Sequence, residues 1–259
     1  MVAVLGAVTV GVGVWIGLHS SVLAVRRVVV RGTGHTDQAS VVAAAQLDRR
    51  PMIDVDSAST RRRLMALPWV GQVRVRRHWP TTVTIDIVER VPFAQTATIA
   101  GPAAVVDADG RVLAVGGDAA RILDAERGPL PSLAGVLSVA VAGATLPPSA
   151  ASLLLVLKAL EASPLPPSAN RAGAAPFTVA TVARGADGSV RVSLVPGPVS
   201  ADFGGTDELD AKLAALRSVL TQLAGAPPTG PTTLDVRVAA APVLTDGKKD
   251  SSVSTTQRG

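Results

Sequence analysis

The chain has 259 residues, with 25 Lys and Arg against 20 Asp and Glu and a formal net charge of +5 at pH 7. This length allows one large or two small domains in addition to a membrane segment. Since the chain has no Cys, disulfides and thiolate metal sites are excluded. Aromatic residues make up only 2% of the chain, so its cores must be built from Val, Leu, Ile and Ala.

The first 25 residues contain no Asp, Glu, Lys or Arg. A helix of that length spans roughly 37 Å, more than the ~30 Å hydrocarbon core of a bilayer. A cleaved signal peptide is the alternative, but it calls for a basic start and a shorter apolar core. The sequence therefore predicts an uncleaved transmembrane helix over residues 1–25, with Trp15 and His19 towards the interface at its end.

A basic block follows, with 12 Arg against 6 acidic residues between Arg26 and Arg90. Such a block is compatible with nucleic-acid binding, or with a solvated or membrane-facing surface beside anionic lipid. An apolar segment directly precedes the block and no aromatic residues are interleaved with its arginines. We therefore expect no nucleic-acid partner.

The same block has the pattern of a small α+β domain. Val73 and Val75 alternate with Arg74 and Arg76, which predicts a strand with one buried face. Gly and Pro residues separate the apolar runs and mark the ends of the elements. The order β-α-α-β-β is predicted, with two helices over one face of a three-stranded sheet: strands over residues 26–31, 70–77 and 81–88, and helices over residues 41–47 and 60–67.

These residues resemble the POTRA domain of the bacterial cell-division family FtsQ, also called DivIB. The matching features are a glycine after the first strand (Gly32), Ile53 to Asp56 before the second helix, Leu67-Pro68-Trp69-Val70, Arg77-x-Trp79-Pro80 and Glu89-Arg90. The resemblance implies a POTRA domain over residues 26–91. Its motif residues are expected to serve structure or recruitment, with Trp69 and Trp79 anchoring the core or a corner: Trp69, Arg77, Trp79, Pro80, Glu89 and Arg90.

Residues 92–244 are predicted to form a second, β-rich domain with a mixed sheet and helices. Asp/Gly turns separate paired β-branched runs, and two Leu stripes have helical spacing. The expected elements are hairpins over 103–115 and 177–195, a short strand over 199–203, helices over 149–161 and 207–224, and a terminal strand over 232–238. The polar residues 245–259 are predicted to be a disordered tail.

The C-terminal order of amphipathic helix, Pro/Gly turn and strand also resembles FtsQ, whose last strands contact FtsB. A terminal strand on a sheet edge leaves backbone groups that a partner segment can extend. The alternative is an ordinary edge strand with a solvated arginine. The resemblance implies partner contacts, with FtsB-like and FtsL-like proteins, at Leu234, Val236, Arg237 and Val238.

No catalytic constellation is apparent. His19, His35 and His78 lack the spacing of a metal pair, and no nucleophile-elbow motif is present. We therefore expect a non-enzymatic scaffold without cofactor, metal or small-molecule substrate. The resemblance implies a single-pass plasma-membrane protein with an extracytoplasmic C-terminal part, placed at the division septum. The rivals are a POTRA protein of outer-membrane insertion or secretion, which would have tandem POTRA repeats, and a generic anchored binding protein.

Overall fold

A computed structural model describes residues 4, 6, 8, 9, 11–13, 15, 23–96, 103–125, 128–136, 141–225, 228 and 230–246. The chain divides between Val91 and Pro92 into two compact units. The membrane helix predicted for residues 1–25 lies mostly outside the described residues. Among the residues that are described, no helix is both long and apolar enough to cross a bilayer.

The end of that predicted helix belongs to the first unit instead. Ala24 and Val25 are buried, and the Val25 amide donates a hydrogen bond to the Arg50 carbonyl at 2.9 Å. Ala24 also forms an isolated bridge with Pro51. The last two residues of the apolar run are therefore part of the folded unit, because their burial against it removes apolar surface from water.

A three-stranded sheet forms the base of the first unit. It contains β1 (Arg27–Arg31), β2 (Val70–His78) and β3 (Thr82–Glu89) in the order β1-β3-β2. Strand β1 is parallel to β3, and β2 is antiparallel to β3. The predicted strands agree with these bounds within one residue.

Two helices cover one face of this sheet. Helix α1 (Gln38–Ala45) and helix α2 (Ser57–Leu64) begin about three residues earlier than the Leu and Val pattern predicted. The reason is capping, since Asp37 accepts a hydrogen bond from the Ser40 amide and Asp56 accepts one from the Ala58 amide at 2.9 Å. The predicted order β-α-α-β-β is confirmed, around a core of Val25, Val41, Ala45, Leu47, Met52, Val55, Leu64, Val70, Val73, Val83, Ile85 and Ile87.

The second unit is built on a mixed nine-stranded sheet in the order β12-β11-β10-β9-β8-β7-β4-β5-β6. Neighbours pair antiparallel except β4 with β7, β7 with β8, and β10 with β11. The strands are β4 (Ala94–Thr96), β5 (Ala104–Val106), β6 (Val112–Val115), β7 (Ser132–Ala134), β8 (Thr178–Arg184), β9 (Val190–Val195), β10 (Val199–Gly204), β11 (Thr232–Asp235) and β12 (Val243–Asp246).

Three helices complete this unit: α3 (Gly117–Ala125), α4 (Ala151–Glu161) and α5 (Leu209–Gly225). The apolar side chains of α4 and α5 contribute to one core together with the inward residues of the sheet. Helix α5 connects β10 to the parallel strand β11, which requires a crossover of this kind. Both units therefore have the predicted α+β class.

The main correction to the predicted fold concerns its C-terminal end. The strand predicted over residues 232–238 ends at Asp235, and β12 pairs antiparallel with it. The predicted tail begins with Thr245 and Asp246, which belong to β12, and the rest of it lies outside the described residues. Strand β12 was not predicted because four residues after a loop give too short a pattern to recognise.

Candidate protein-interaction surfaces

The first candidate surface is the edge of the large sheet formed by β12. Register pairs Leu234 with Ala201 on one side and with Leu244 on the other, so β11 is enclosed between β10 and β12. Within the described residues, β12 is the last strand of this side of the sheet. The exposed edge with unpaired backbone groups is therefore that of β12, and not of β11 as the sequence predicted.

Two of the four predicted contact residues are core residues. The side chains of Leu234 and Val236 are fully buried and belong to the core of the second unit. The Val236 amide extends the pairing beyond β11 by donating to the Asp202 carbonyl at 2.9 Å. Neither side chain is available to a partner, so the prediction that they contact one directly is corrected.

Apolar side chains nearby are exposed instead. Val238 is 62% exposed, Val243 56% and Leu244 44%. Val238 and Val243 line an open groove of about 330 Å³ together with Asp235, Arg237 and Ala241. Exposed apolar side chains beside an open strand edge are typical of a surface that pairs with a partner strand.

Arg237 is held within this groove by Asp235, the first residue of the Asp-x-Arg pattern. Its Nε atom donates to both carboxylate oxygens at 3.0 and 2.9 Å, and one terminal nitrogen donates at 2.5 Å. These side-chain hydrogen bonds are the main reason that the pKa of Asp235 is lowered and that of Arg237 is raised. Arg237 is therefore pre-positioned by an acidic residue of its own chain.

The stem of Arg237 also packs over Gly204 at the end of β10. A Cβ atom built on Gly204 would lie 2.9 Å from Cγ of Arg237, and Gly204 has a φ of +61°. Both the contact and the backbone angle require glycine at this position. The close approach fixes the direction in which the Arg237 stem leaves the sheet.

A buried lysine secures the same end of β10 from the helix side. The side chain of Lys212 on α5 is 2% exposed, and its Nζ atom donates to the carbonyls of Phe203 at 3.0 Å and Gly205 at 3.1 Å. Nζ also lies 3.2 Å from a carboxylate oxygen of Asp207 and lowers the pKa of that group. Sequence reasoning missed this arrangement, although Lys212 lies four residues before Leu216 within the apolar stripe, a position that signals burial.

Three of the six predicted POTRA motif residues, Trp69, Glu89 and Arg90, come together at one corner of the first unit. Trp69 stacks on His35 with ring centroids 4.2 Å apart and an angle of 14° between the planes. The Glu89 carboxylate accepts hydrogen bonds from the amides of His35 at 2.9 Å and Thr36 at 2.7 Å. Arg90 joins this corner through its amide, which donates to the Trp69 carbonyl at 2.8 Å. These residues together hold the loop that follows β1.

Glu89 is ionised more readily than an ordinary glutamate. Burial on its own would raise its pKa, but the hydrogen bonds from His35, Thr36 and Gly34 act in the opposite direction and the net pKa is lowered. The carboxylate therefore stays charged at neutral pH and continues to accept both amides.

Arg77, Trp79 and Pro80 lie at the other end of the sheet. One terminal nitrogen of Arg77 donates to the Val55 carbonyl at 3.3 Å, which ties β2 to the segment before α2. Trp79 and Pro80 are in the turn between β2 and β3, where the Trp79 side chain is 49% exposed. Of the two expected positions for Trp79, core or corner, the structure shows the corner, with the side chain half exposed.

The described residues show no group of His, Asp and Glu side chains arranged to hold a metal ion. An open groove of about 570 Å³ runs beside β2 in the first unit and is lined in part by Arg74 and Asp86. In the described residues, the features best suited to binding are strand edges and exposed apolar side chains, and both favour contacts with proteins.

Comparison with known proteins supports this geometry. The family model of the POTRA domain, FtsQ-type, matches residues 23–90. Residues 23–90 are thus similar to an FtsQ-type POTRA domain. The match begins at residue 23, in agreement with the burial of Ala24 and Val25 in the first unit.

The similarity to FtsQ continues beyond that domain. Cell division protein FtsQ of Mycobacterium tuberculosis (strain H37Rv) is 28% identical over 217 residues, which cover 82% of this chain and 60% of that protein. FtsQ of Mycobacteroides abscessus is 32% identical over 111 residues, or 42% of this chain and 35% of the relative. FtsQ of Novosphingobium aromaticivorans is 43% identical over 67 residues, or 25% and 21%. The predicted resemblance to FtsQ is confirmed, and the matches span 60% or less of the length of these relatives.

Proposed function

We propose that this protein is a membrane-anchored, non-enzymatic scaffold of the bacterial cell-division machinery. The observation that carries the proposal is the match of residues 23–90 to the FtsQ-type POTRA domain, followed by a sheet that ends, among the described residues, in strand β12. The scaffold would link early and late division proteins and so control septal peptidoglycan synthesis. Its site of action would be the plasma membrane at the division septum, with the C-terminal units outside the cytoplasm.

The proposed partners are FtsB-like and FtsL-like single-pass proteins that add an extended segment to β12. The geometry that supports this mode is the free edge of β12 beside the exposed side chains of Val238, Val243 and Leu244. Main-chain hydrogen bonds supply affinity in strand addition, and pockets for alternate side chains supply specificity. The groove next to Arg237 is such a pocket.

Arg237 contributes a charge to this proposed interface at little entropic cost. The ion pair with Asp235 and the packing on Gly204 already limit the rotamers of the guanidinium. A side chain that is ordered before binding loses less conformational entropy on binding. Leu234 and Val236 act in this proposal as core residues that hold β11 in place, and the contact side chains are those of β12 and the preceding turn.

The proposed anchor is the apolar segment over residues 1–22, because the match to the POTRA domain begins at residue 23 and Ala24 and Val25 are buried in the first unit. A helix over residues 1–22 spans about 33 Å, which still matches the ~30 Å hydrocarbon core. The absence of acidic and basic residues from this stretch of sequence supports the assignment.

Depletion of the protein in its native host tests the proposed function. Loss of the protein should give filamentous cells without completed septa, and a fluorescent fusion should collect at midcell. Re-expression of wild type or of Leu155→Lys should restore division, whereas Leu244→Lys should not. Leu155 is a matched control, since it is 49% exposed on α4 and Leu244 is 44% exposed on β12.

Each outcome of the depletion separates the proposal from its rivals. Normal septation after depletion, with outer-membrane or secreted proteins lost instead, would show a role in protein insertion and contradict the division scaffold. Restored division with Leu244→Lys at normal protein levels would leave the scaffold role intact and reject the β12 interface.

A further inference from the structure

The face of the three-stranded sheet opposite the helices carries a regular array of arginines. Val28 and Val30 of β1, Val83 and Ile85 of β3, and Val73 of β2 pack towards the helices. Because side chains alternate along a strand, their neighbours point to the opposite, uncovered side. We call this side the open face; it carries Arg27, Val29, Arg31, Gln72, Arg74, Arg76, His78, Thr82, Thr84, Asp86 and Val88.

The strand register orders the charges of the open face in rows. Arg31, Asp86 and Arg74 are cross-strand neighbours, and Arg76 lies two residues further along β2. Asp86 is the acidic residue among them, and it pairs with Arg76 at 2.6 Å. Four exposed arginines against this one carboxylate leave the open face with a strong positive surplus.

Trp79 lies at one end of this face. Register pairs Arg27 with Thr82 and His78 with Thr82, so the turn between β2 and β3 is next to the start of β1. The amides of Arg26 and Arg27 both donate to the Thr81 carbonyl, at 2.9 and 3.2 Å. The exposed ring of Trp79 and the guanidinium of Arg27 therefore share the end of the sheet at which the chain enters the first unit.

The apolar N-terminal run ends close to this point. Residues 23–26 are the link between residue 22 and Arg27, and a trans peptide advances the chain by at most ~3.6 Å per residue. Arg27 therefore lies within about 18 Å of the end of the run. If that run spans a bilayer, the Trp79 turn and the open face start in the layer occupied by lipid headgroups.

Trp and Arg are both suited to this layer. Tryptophan is enriched at membrane–water interfaces because its ring has an apolar body and a polar N–H group. Arginine binds phosphate through several N–H donors in a fixed plane. A flat basic face with an aromatic residue at its margin fits a planar array of anionic headgroups better than it fits a single peptide, which would need apolar pockets.

We infer that the Trp79 turn and the open face dock onto anionic phospholipid headgroups of the membrane that holds the N-terminal segment. The contact orients the POTRA unit, with its helices directed away from the bilayer. The inference rests on the anchoring part of the proposed function. It assigns to Trp79 a role that neither the core of the unit nor the β12 interface requires.

The full chain, reconstituted into vesicles, tests this docking. Since the chain has no Cys, a single cysteine gives a labelling site without background. A fluorophore is attached at Thr81→Cys in the turn, or at Val42→Cys on exposed α1 as the control. Quenching is measured with lipids that carry a nitroxide on the headgroup, in vesicles of phosphatidylcholine with or without 30% phosphatidylglycerol.

The expected result is strong quenching at position 81 and weak quenching at position 42 in the anionic vesicles. Added salt or removal of phosphatidylglycerol should reverse it, since surface charges are screened within about 10 Å at 0.1 M salt. An arginine beside an anionic surface contributes about 1 kcal/mol, or roughly five-fold in binding. Arg27→Gln with Arg76→Gln should therefore lower the docking constant by about 25-fold, and Trp79→Ala should lower it further.

A matched variant separates docking from net charge. Arg61→Gln with Arg62→Gln removes the same charge from exposed positions of α2 and should leave the quenching at position 81 unchanged. Equal quenching at positions 81 and 42, or quenching that does not depend on anionic lipid, would overturn the inference. If the open face instead binds an acidic protein, the purified chain lacks that partner and the open face stays undocked. Positions 81 and 42 should then be quenched equally.

Flotation distinguishes failure of this inference from failure of the anchor. An anchored chain should float with phosphatidylcholine vesicles at 1 M salt, whether or not the open face is docked. A chain that floats only with anionic vesicles at low salt, and is then quenched at position 81, would disprove the anchor and support the docking surface. Flotation without quenching at position 81 would support the anchor and reject the docking surface.

Discussion

The guanidinium of Arg237 lies against the carboxylate of Asp235, with hydrogen bonds of 3.0, 2.9 and 2.5 Å between them. The two residues are two positions apart on the chain and form an ion pair at the end of β11, beside the groove next to β12. The pair keeps Arg237 ordered while its side chain is 57% exposed. The guanidinium of Arg237 therefore has a defined position before any partner binds.

Replacing Arg237 should alter the titration of Asp235. The hydrogen bond from Arg237 is the main cause of the lowered pKa of Asp235, so Arg237→Gln should raise that pKa towards its ordinary value. Carboxyl chemical shifts followed by NMR between pH 2 and 6 would measure the change. Arg191→Gln is the control, since Arg191 pairs with Asp202 and not with Asp235. An unchanged pKa of Asp235 in Arg237→Gln would contradict the assignment.

Gly204→Ala should weaken both the fold and the position of Arg237. The φ of +61° costs a residue with a Cβ about 1–2 kcal/mol, and the new methyl group would lie 2.9 Å from Cγ of Arg237. Urea unfolding should show a lower free energy of unfolding. Gly197→Ala is the control for strain, because Gly197 has a φ of +97° with no atom within 4 Å of the added Cβ. Equal losses for the two variants would show that the contact with Arg237 has no effect.

Lys212→Met should destabilise the second unit although it removes a buried charge. The carbonyls of Phe203 and Gly205 would lose a donor, and an unsatisfied buried polar group costs about 1–3 kcal/mol. The free energy of unfolding should therefore fall by about 1–3 kcal/mol. Lys158→Met, which removes an exposed lysine paired with Asp109, should change it by less than about 0.5 kcal/mol. A neutral or stabilising Lys212→Met would show that apolar packing substitutes for these hydrogen bonds.

Glu89→Gln should loosen the loop after β1 and remove a pH-dependent part of the stability. The pKa of Glu89 is lowered in the folded state, so the contribution is complete above the ordinary glutamate pKa and disappears as the pH falls through the lowered value. At neutral pH the free energy of unfolding should fall by about 1 kcal/mol. This is less than the loss of a fully buried charged hydrogen bond would cause, because Glu89 is partly exposed. Thermal unfolding at pH 7 and pH 3 would measure it.

If the charge of Glu89 is responsible, the stabilities of wild type and Glu89→Gln should converge at low pH. Wild type and Glu89→Gln should differ at pH 7, and the difference should shrink as the pH falls through the lowered pKa of Glu89 and the carboxyl group becomes protonated. Glu161→Gln, at the exposed end of α4, should match wild type at both values. A difference at pH 3 as large as that at pH 7 would assign the effect to packing and not to the charge.

Sequence alone was sufficient for the elements of the POTRA domain. Strands β2 and β3 alternate clearly, as in Val73, Arg74 and Val75, β1 is a run of Val residues that ends at Gly32, and Pro80 marks the turn between β2 and β3. Helix starts were placed about three residues late because the Val and Leu pattern was followed, whereas the structure places the helix starts directly after Asp37 and Asp56.

The candidate sites were less predictable, because their residues depend on tertiary pairing. Nothing in the alternation of Leu234 and Val236 distinguishes a partner-facing side from a core-facing side of β11. That distinction requires knowing that helix α5 covers one face and that β12 follows. Trp79 was expected at the core or at a corner, and the sequence did not decide between these positions; the structure places it at an exposed turn.

The most direct test of the account is photo-crosslinking in cells with a probe at Leu244 or Val238, and at Leu155 as the matched exposed control. The account predicts an adduct with a small single-pass membrane protein from both probes near β12 and none from Leu155. Mass spectrometry would identify the trapped protein and the segment that lies along β12. A stably expressed protein that gives no adduct from either position would contradict partner binding at this edge.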